Sequence, residues 1–237
     1  MTAALFAGIS LLFACGPSQP PSANKTPGAD VETSAPAKGS AFDLLPLKQG
    51  NRWTYEVEST TTDARGSVLA VGLRTWEVES VKEGDGWKEA IIKELTDQGE
   101  LVNTYDVRVT ADTIAFKSIT QGGKKYTIQP PLPICKWPMK QGEQIQWTGT
   151  GITQDPNLKL KTTITFQGEM EVDTAEGREK AYRVEIISEP ADGSNSPASR
   201  SIYWFKPGVG VVRNVDTQLG RNMARKTILR LKGATIQ

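Results

Sequence analysis

The chain has 237 residues, with 28 Lys and Arg against 27 Asp and Glu, and it contains no histidine. Nucleic-acid-binding domains carry a marked excess of basic residues, so this balance predicts no nucleic-acid partner. The lack of histidine removes the commonest general base and the commonest metal ligand.

The first 14 residues predict a lipoprotein signal peptide. The apolar run from Ala3 to Phe13 is shorter than the roughly 20 residues that a membrane-spanning helix needs, and it suits an export signal. Leu12 stands three positions before Cys15 and Ala14 directly before it, which resembles a bacterial lipobox. The resemblance implies cleavage between Ala14 and Cys15 and lipidation of Cys15. The alternative is an ordinary cleaved signal with a chance cysteine.

A lipidated Cys15 predicts attachment to a membrane of the bacterial cell envelope. Each buried acyl CH₂ contributes about 0.8 kcal/mol, so two or three chains anchor a protein stably. Gly16 is not the aspartate that retains proteobacterial lipoproteins at the inner membrane, and the resemblance therefore favours the outer membrane in a diderm organism. No Lys or Arg precedes the apolar run, which leaves open that the true start lies upstream.

Residues 15–40 predict the lipidated cysteine followed by a disordered tether. The segment is rich in Pro, Ser and Ala and has no hydrophobic periodicity, so it cannot bury enough apolar surface to become ordered. A flexible chain of this length spans about 28 Å on average. The tether is expected to hold the following domain away from the membrane surface.

Residues 41–237 predict an all-β domain. Apolar and polar side chains alternate in many short segments, the pattern of strands with one buried face. Turn residues such as Gly122 and Gly123 separate these segments. The single helical candidate is 41–45, which Pro46 ends after about one turn. The alternating segments are 53–57, 75–79, 88–95, 105–109, 113–117, 125–128, 158–166, 170–173, 181–188, 203–205, 209–216 and 223–232.

The domain also predicts two similar halves, at about 45–130 and 137–232. The order Pro46, Lys48, Gln49, Gly50 recurs 92 positions later at 138–142, and further matches align 76–79 with 170–173 and 105–107 with 203–205. We expect an antiparallel meander that forms one curved sheet or partly open barrel from these halves. Two packed sheets are the alternative.

No motif predicts a catalytic, cofactor-binding or metal-binding residue. Glu77 with Glu79, and Glu169 with Glu171 and Asp173, favour solvated strand faces over the facing carboxylates of a glycan hydrolase. The glycines at 208 and 210 lack the third glycine and the helix of a dinucleotide loop, and favour a kinked strand or bulge. The turn at 83–86 supplies too few oxygens for calcium.

The remaining cysteine and the tryptophans favour structural roles. Cys135 lies in a segment too rich in proline for a central strand, and a buried, inert thiol is expected there. Trp53, Trp76, Trp147 and Trp204 lie in alternating segments and predict core packing. The alternative is an aromatic-lined concavity that accepts an acyl chain or a glycan.

Lys226, Arg230 and Lys232 share one face of the last predicted strand. One interpretation is an edge strand that basic side chains protect from pairing with other sheets. The other is contact with anionic lipid headgroups, where each basic residue adds about 1 kcal/mol.

The lipobox, the tether, the Pro46–Tyr55 stretch and Pro207-Gly208-Val209-Gly210-Val211-Val212 together resemble a TapB-like family of bacterial lipoproteins of largely unassigned function. The resemblance covers roughly residues 42–237. It implies a β-rich envelope domain and supplies no active-site residue.

These patterns predict a membrane-anchored, non-enzymatic binding or assembly module of the cell envelope. Its partner is expected to be an apolar ligand, a glycan or an envelope protein. The alternative is a carboxylate-dependent glycan hydrolase.

Overall fold

The computed structural model describes residues 39–152, 158–193, 198–220 and 222–237. The predicted signal peptide, Ala14, Cys15 and nearly all of the tether lie outside these residues, so the lipobox and tether stay predictions. In the described part of the chain, no helix is long and apolar enough to cross a membrane.

The described residues form one short helix and a single antiparallel sheet of 12 strands. The prediction of an all-β meander is confirmed, and the alternative of two packed sheets is wrong. The elements are α1 Ala41–Leu44, β1 Arg52–Asp63, β2 Gly66–Gly84, β3 Trp87–Thr96, β4 Leu101–Thr110, β5 Thr113–Gln121, β6 Lys124–Lys136, β7 Gln144–Gly149, β8 Leu160–Asp173, β9 Arg178–Pro190, β10 Ala198–Lys206, β11 Gly210–Leu219 and β12 Met223–Thr235.

The sheet nearly closes into a barrel with one open seam. Strand β1 pairs with β2 on one side and with β12 on the other, so the first and last strands of the chain are neighbours. The strand order runs from β6 through β1 and β12 to β7. Across the seam, β6 and β7 are joined by a bridge of two backbone hydrogen bonds between Gln129 and Thr150, at 3.1 and 3.0 Å.

Period-two alternation decides which side chains fill the barrel, because successive residues of a strand point to opposite faces. In β1 the side chains of Trp53, Tyr55 and Val57 are buried, whereas Arg52 and Glu56 are exposed. Strand pairing continues the buried face across the sheet, since directly paired residues lie on the same side.

The helix α1 closes one end of the barrel, which we call the capped end. Ser40 begins the helix by accepting a hydrogen bond from the Phe42 amide, and Ala41 donates to the carbonyl of Ala111 between β4 and β5. Within the helix, the side chains of Ala41 and Leu44 are buried. The predicted single helical turn before Pro46 is confirmed.

The opposite end carries the hairpin turns β1–β2, β3–β4, β5–β6 and β11–β12, and we call it the mouth. Along the inward face of β1, burial decreases toward this end: Trp53 and Tyr55 are buried, and Ser59 and Thr61 are part-exposed. On the paired face of β2, Val68 is 70% exposed. The barrel interior therefore opens to solvent at the mouth.

The seam strands are protected from further pairing. Strand β6 contains Pro130, Pro131 and Pro133, which have no N–H to donate, and this placement confirms that the segment is not a central strand. The Trp147 indole N–H of β7 reaches the carbonyl oxygens of Pro130 and Pro131, each at 3.2 Å. At Gly151 a Cβ would lie 1.9 Å from the carbonyl oxygen of Thr127, so only glycine permits this approach of the two backbones.

Three of the four tryptophans pack inside the barrel as predicted. The fourth, Trp204, is 8% exposed but lies on the outward face, because its neighbours Tyr203 and Phe205 point inward. The guanidinium groups of Arg183 and Arg213 lie 5.5 and 5.2 Å from the Trp204 ring. These two cations thus contribute to the burial of the Trp204 indole.

Candidate functional site

The barrel interior has an apolar floor toward the capped end. Its aromatic rings contact one another in series: Tyr55 and Trp76 have centroids 5.3 Å apart, Trp76 and Tyr105 5.7 Å, and Tyr105 and Phe116 5.6 Å. These contacts are within the range for favourable ring pairs. The floor is thus a packed core that closes the lower part of the barrel.

A small apolar void lies within this floor. Its volume is about 10 Å³, close to the space for one water molecule. The void is too small for an acyl chain. It is lined by Leu45, Trp76, Ile92, Tyr105, Phe116, Ile134, Tyr203, Phe205 and Val211.

Above the floor, Glu94 of β3 points into the barrel and is only 8% exposed. The Tyr105 hydroxyl donates to Glu94 Oε2 at 2.6 Å, and the Asn103 amide donates to the same oxygen at 2.7 Å. The Arg74 guanidinium lies 3.6 Å from Glu94 Oε1. Side chains of the two neighbouring strands, β2 and β4, therefore hold this carboxylate in one place.

Asp216 of β11 is the second carboxylate inside the barrel. Burial raises the pKa of Asp216 above its ordinary value, and the negative charge of Glu94 raises it further. Hydrogen bonds from Ser201 and Asn214 and the charge of Arg225 oppose this rise. The residue keeps part of its surface accessible toward the mouth, so its carboxyl lies at the boundary between the core and solvent.

Glu94 and Asp216 influence the same two tyrosines, although the two carboxylates lie on strands far apart in the sheet. The pKa of Tyr105 is raised mainly by burial and then by Glu94, with a smaller contribution from Asp216. The pKa of Tyr203 is raised by burial, by Asp216 and by Glu94. Strands β3, β4, β10 and β11 thus bring two acids and two phenols together.

Two amide oxygens in this volume lack a partner. Asn214 is 1% exposed; its amide nitrogen donates to the carbonyl of Ile202 at 3.3 Å, and its Oδ1 has no hydrogen-bond partner among the described residues. The same holds for Oδ1 of Asn103. An unsatisfied buried acceptor costs about 1–3 kcal/mol. A ligand whose O–H or N–H groups reached these oxygens would satisfy them.

The described residues contain no cluster of three or more carboxylate or cysteine side chains that could hold a metal ion. The carboxylates that the sequence singled out lie elsewhere. Glu77 pairs with Arg52 at 2.6 Å and Asp173 with Arg178 at 3.1 Å, on the solvated faces of the sheet as expected.

Sequence reasoning missed Glu94 and Asp216. The alternation of β3 does contain a signal, because Glu94 shares the inward face with Ala90 and Ile92, where a charged residue is unusual. No local signal links it to Asp216, which follows 122 positions later (216 − 94 = 122).

The basic residues of β12 face outward, on one face as predicted. Strand β12 lies between β1 and β11, so the interpretation as a protected edge strand is wrong. Arg230 makes two hydrogen bonds to Glu58, at 2.7 and 3.3 Å, and Lys232 lies 3.8 Å from Glu56. Carboxylates of β1 thus pair with Arg230 and Lys232. These are two of the three basic residues in the predicted headgroup contact; the third is Lys226.

Comparison with known proteins gives no family. No family model matches the chain, and no curated protein matches it. The resemblance to TapB-like lipoproteins therefore stays a prediction.

Several solved structures match the chain at low sequence identity. A candidate lipoprotein from Parabacteroides distasonis is 14% identical with a TM-score of 0.42, over 83% of this chain and 100% of that one. A candidate exported protein with a YmcC-like fold from Bacteroides fragilis is 14% identical with a TM-score of 0.44, over 80% and 98%. A β-barrel-like domain of unknown function from Brucella abortus is 13% identical with a TM-score of 0.40, over 80% and 98%. Similarity at this level assigns no function to this chain.

Proposed function

We propose that this protein is a membrane-anchored envelope lipoprotein whose barrel is a non-enzymatic binding module. The lipobox residues Leu12, Ala14 and Cys15 and the Pro-rich tether support the anchor. The open mouth above the packed floor supports a ligand site inside the barrel. The outer membrane is the proposed location in a diderm organism.

The ligand that we propose is rich in hydroxyl groups, as a glycan is. The observation that carries this choice is Asn214, which is almost fully buried beside Asp216 and leaves its Oδ1 unpaired. Glu94, on the inward face of β3, adds a carboxylate to the same interior, and sugar hydroxyls are donors that match such acceptors. The small volume of the apolar void weighs against an acyl chain in the floor.

Isothermal titration calorimetry of the full chain with soluble envelope oligosaccharides tests the ligand. We expect binding that is lost in Asn214→Val and weakened at least tenfold in Asp216→Asn. Glu77→Gln, which removes a carboxylate from the solvated face, is the matched control and should bind normally. No heat of binding with any glycan, or equal binding by all four proteins, would refute the ligand class.

Metabolic labelling with a palmitate analogue tests the anchor independently. We expect label on the wild-type chain and none on Cys15→Ser. Retention of label by Cys15→Ser would refute lipidation at this residue and leave the barrel site unaffected.

A hydrolase is a second candidate, favoured by the two carboxyl groups, Glu94 and Asp216, that face the barrel interior. Glycoside hydrolysis uses two carboxyl groups that flank the scissile bond, with water as the second substrate. Release of new reducing ends from an envelope glycan, abolished by Asp216→Asn, would establish this activity. Binding without any release supports the module instead.

Headgroup contact by Lys226, Arg230 and Lys232 stays a proposal. Flotation of the full chain with vesicles tests it, comparing the wild type with a variant in which all three residues are Ala. Lower recovery of the variant on anionic vesicles, but equal recovery on neutral ones, would support the contact. Equal recovery on both would refute it.

A further inference from the structure

The half of β2 nearest the mouth has one open edge. On one side, residues 66–77 pair with β1 along their whole length. On the other side, pairing with β3 begins only at Arg74, opposite Thr96, where β3 ends. In the described part of the chain, no strand pairs with residues 66–73 on this side. Eight residues at about 3.4 Å each leave roughly 27 Å of backbone edge.

The side chains of this edge are apolar and exposed. Val68, Leu69 and Val71 are 70%, 63% and 73% exposed, on both faces of the strand. Residues 66–73 read Gly-Ser-Val-Leu-Ala-Val-Gly-Leu and contain no charge and no proline. The register with β1 has no bulge along this stretch. Each of these features favours pairing with another strand.

The seam shows how this chain protects an edge that stays unpaired. Strand β6 has Pro130, Pro131 and Pro133, and the Trp147 indole covers two of their carbonyls. Residues 66–73 of β2 contain neither proline nor a charged side chain, and no aromatic side chain of the described residues shields Val68, Leu69 or Val71 from solvent. The contrast points to an edge that is paired when the protein works.

We propose that this edge pairs with the same edge of a second copy of the chain, antiparallel about a two-fold axis. An uncharged apolar strand is its own complement in this arrangement, since no like charges oppose each other. The flanking arginines already have partners in their own chain: Arg65 lies 2.7 Å from Asp63 and Arg74 3.6 Å from Glu94. The two sheets then continue as one across the dimer. The interface is independent of the ligand proposed inside the barrel.

A scan of single cysteines in the full chain tests the pairing and its direction. In a two-fold antiparallel pair, only the residue near the axis opposes its own copy, with Cβ atoms about 4.5–5.5 Å apart. Under a mild oxidant, disulfide dimers should therefore peak at Leu69→Cys or Ala70→Cys and fall toward Ser67→Cys and Gly72→Cys. The yield of disulfide dimers from the unsubstituted chain gives the baseline, because that chain has cysteines of its own. One of them, Cys135, is buried.

Ile187→Cys is the matched control, because Ile187 is an exposed apolar residue on β9, five strands away along the sheet. We expect no dimer above baseline for this variant. A flat profile across residues 67–72, a yield equal to that of Ile187→Cys, or a disulfide to a different protein would overturn the proposal.

Sedimentation velocity over a range of concentrations supplies a second readout without cysteine. The wild type should show a concentration-dependent dimer that Val71→Lys abolishes and Val71→Thr retains. Because Val71 is exposed, both variants should melt like the wild type. A monomer at all concentrations, or a dimer unchanged in Val71→Lys, would also overturn the proposal.

Discussion

Gly50 and Gly142, 92 residues apart, form the same turn immediately before β1 and β7. Their φ angles are +85° and +82°. Gly50 donates its N–H to the carbonyl of Val78 at 2.9 Å, and Gly142 donates to Phe166 at 2.8 Å. Each acceptor directly precedes a register shift, in β2 and β8 respectively. Strands β1 and β7 thus follow the same hydrogen-bonded corner.

This correspondence corrects the alignment of the halves. The turns align Val78 with Phe166, an offset of 88 (166 − 78 = 88), whereas the residue pattern aligned 76–79 with 170–173. The pattern failed there because alternation with period two matches equally well after any even shift. Duplication of an ancestral half stays a hypothesis.

Replacing Gly142 by Ala should destabilise the fold by about 1–2 kcal/mol, because an L side chain is disfavoured at positive φ. A Cβ at this position meets no atom within 4 Å, so the cost comes from the backbone alone. Urea unfolding measures it.

The matched control is Gly72→Ala, which also meets no atom within 4 Å but lies in β2 without a positive φ. It should be neutral or slightly stabilising. Equal losses of stability in the two variants would contradict the assigned turn.

Trp147→Phe should loosen the seam. The variant loses the indole N–H that reaches Pro130 and Pro131, at a cost of about 1–3 kcal/mol for the acceptors left unpaired. Hydrogen exchange should accelerate at the amides of Gln129 and Thr150, which bond across the seam.

Amides within the β8–β9 ladder should exchange at the wild-type rate in this variant. Trp204→Phe, on the outward face, should leave the seam amides unchanged and serves as the control. Acceleration of all amides alike would indicate global destabilisation rather than a local effect on the seam.

Asp216→Asn should change how stability depends on pH. The pKa of Asp216 is raised in the folded state above its ordinary value of 3.8, so the folded protein holds this proton more tightly than the unfolded chain. The contribution of Asp216 to the free energy of unfolding is therefore greatest below 3.8. It is lost as pH rises through the folded-state pKa.

Asparagine does not titrate, so the variant does not lose stability as pH rises. Its free energy of unfolding relative to the wild type should therefore rise between pH 3.8 and the folded-state pKa of Asp216, and then level off. Urea unfolding at a series of pH values from 3 to 8 measures the difference, and Glu77→Gln controls for a solvated carboxylate. If the free energies of unfolding of the wild type and Asp216→Asn differed by a constant amount at every pH, Asp216 would not be desolvated in the folded protein.

Cys135 should react with thiol reagents only after unfolding. It is 1% exposed, and burial raises the pKa of its thiol to about 12, so the thiolate is scarce at neutral pH. Maleimide labelling of the native protein should spare this residue, and labelling in urea should reach it. Rapid native labelling at Cys135 would contradict the predicted inert thiol.

The strands could be predicted because alternation is a local property. Trp53, Tyr55 and Val57 identify the buried face of β1 from five residues of sequence, and Gly122 with Gly123 marks the turn between β5 and β6 in the same way. The prolines at 130, 131 and 133 also excluded a central strand, since the missing N–H groups need no tertiary context.

The placement of strands could not be predicted, because it rests on pairing between distant segments. Because β1 pairs with β12, β12 is a central strand. The same pairing allows Arg230 to donate a hydrogen bond to Glu58, 172 residues away. The face on which Trp204 lies likewise depends on strand pairing. Alternation shows that Trp204 and its two neighbours point to opposite sides of the sheet, but only the closed barrel shows which side is the interior.

The sequence alone determined an all-β chain of short amphipathic strands, the single helical turn at α1 and the burial of Cys135, because each follows from side chains a few residues apart. Only the tertiary structure decided that Glu94 and Asp216 share one interior and that residues 66–73 of β2 keep an open edge. Both depend on where strands end and which strands meet. The first relation joins residues 122 positions apart and the second depends on the pairing of β2 with β3, and no local pattern encodes either.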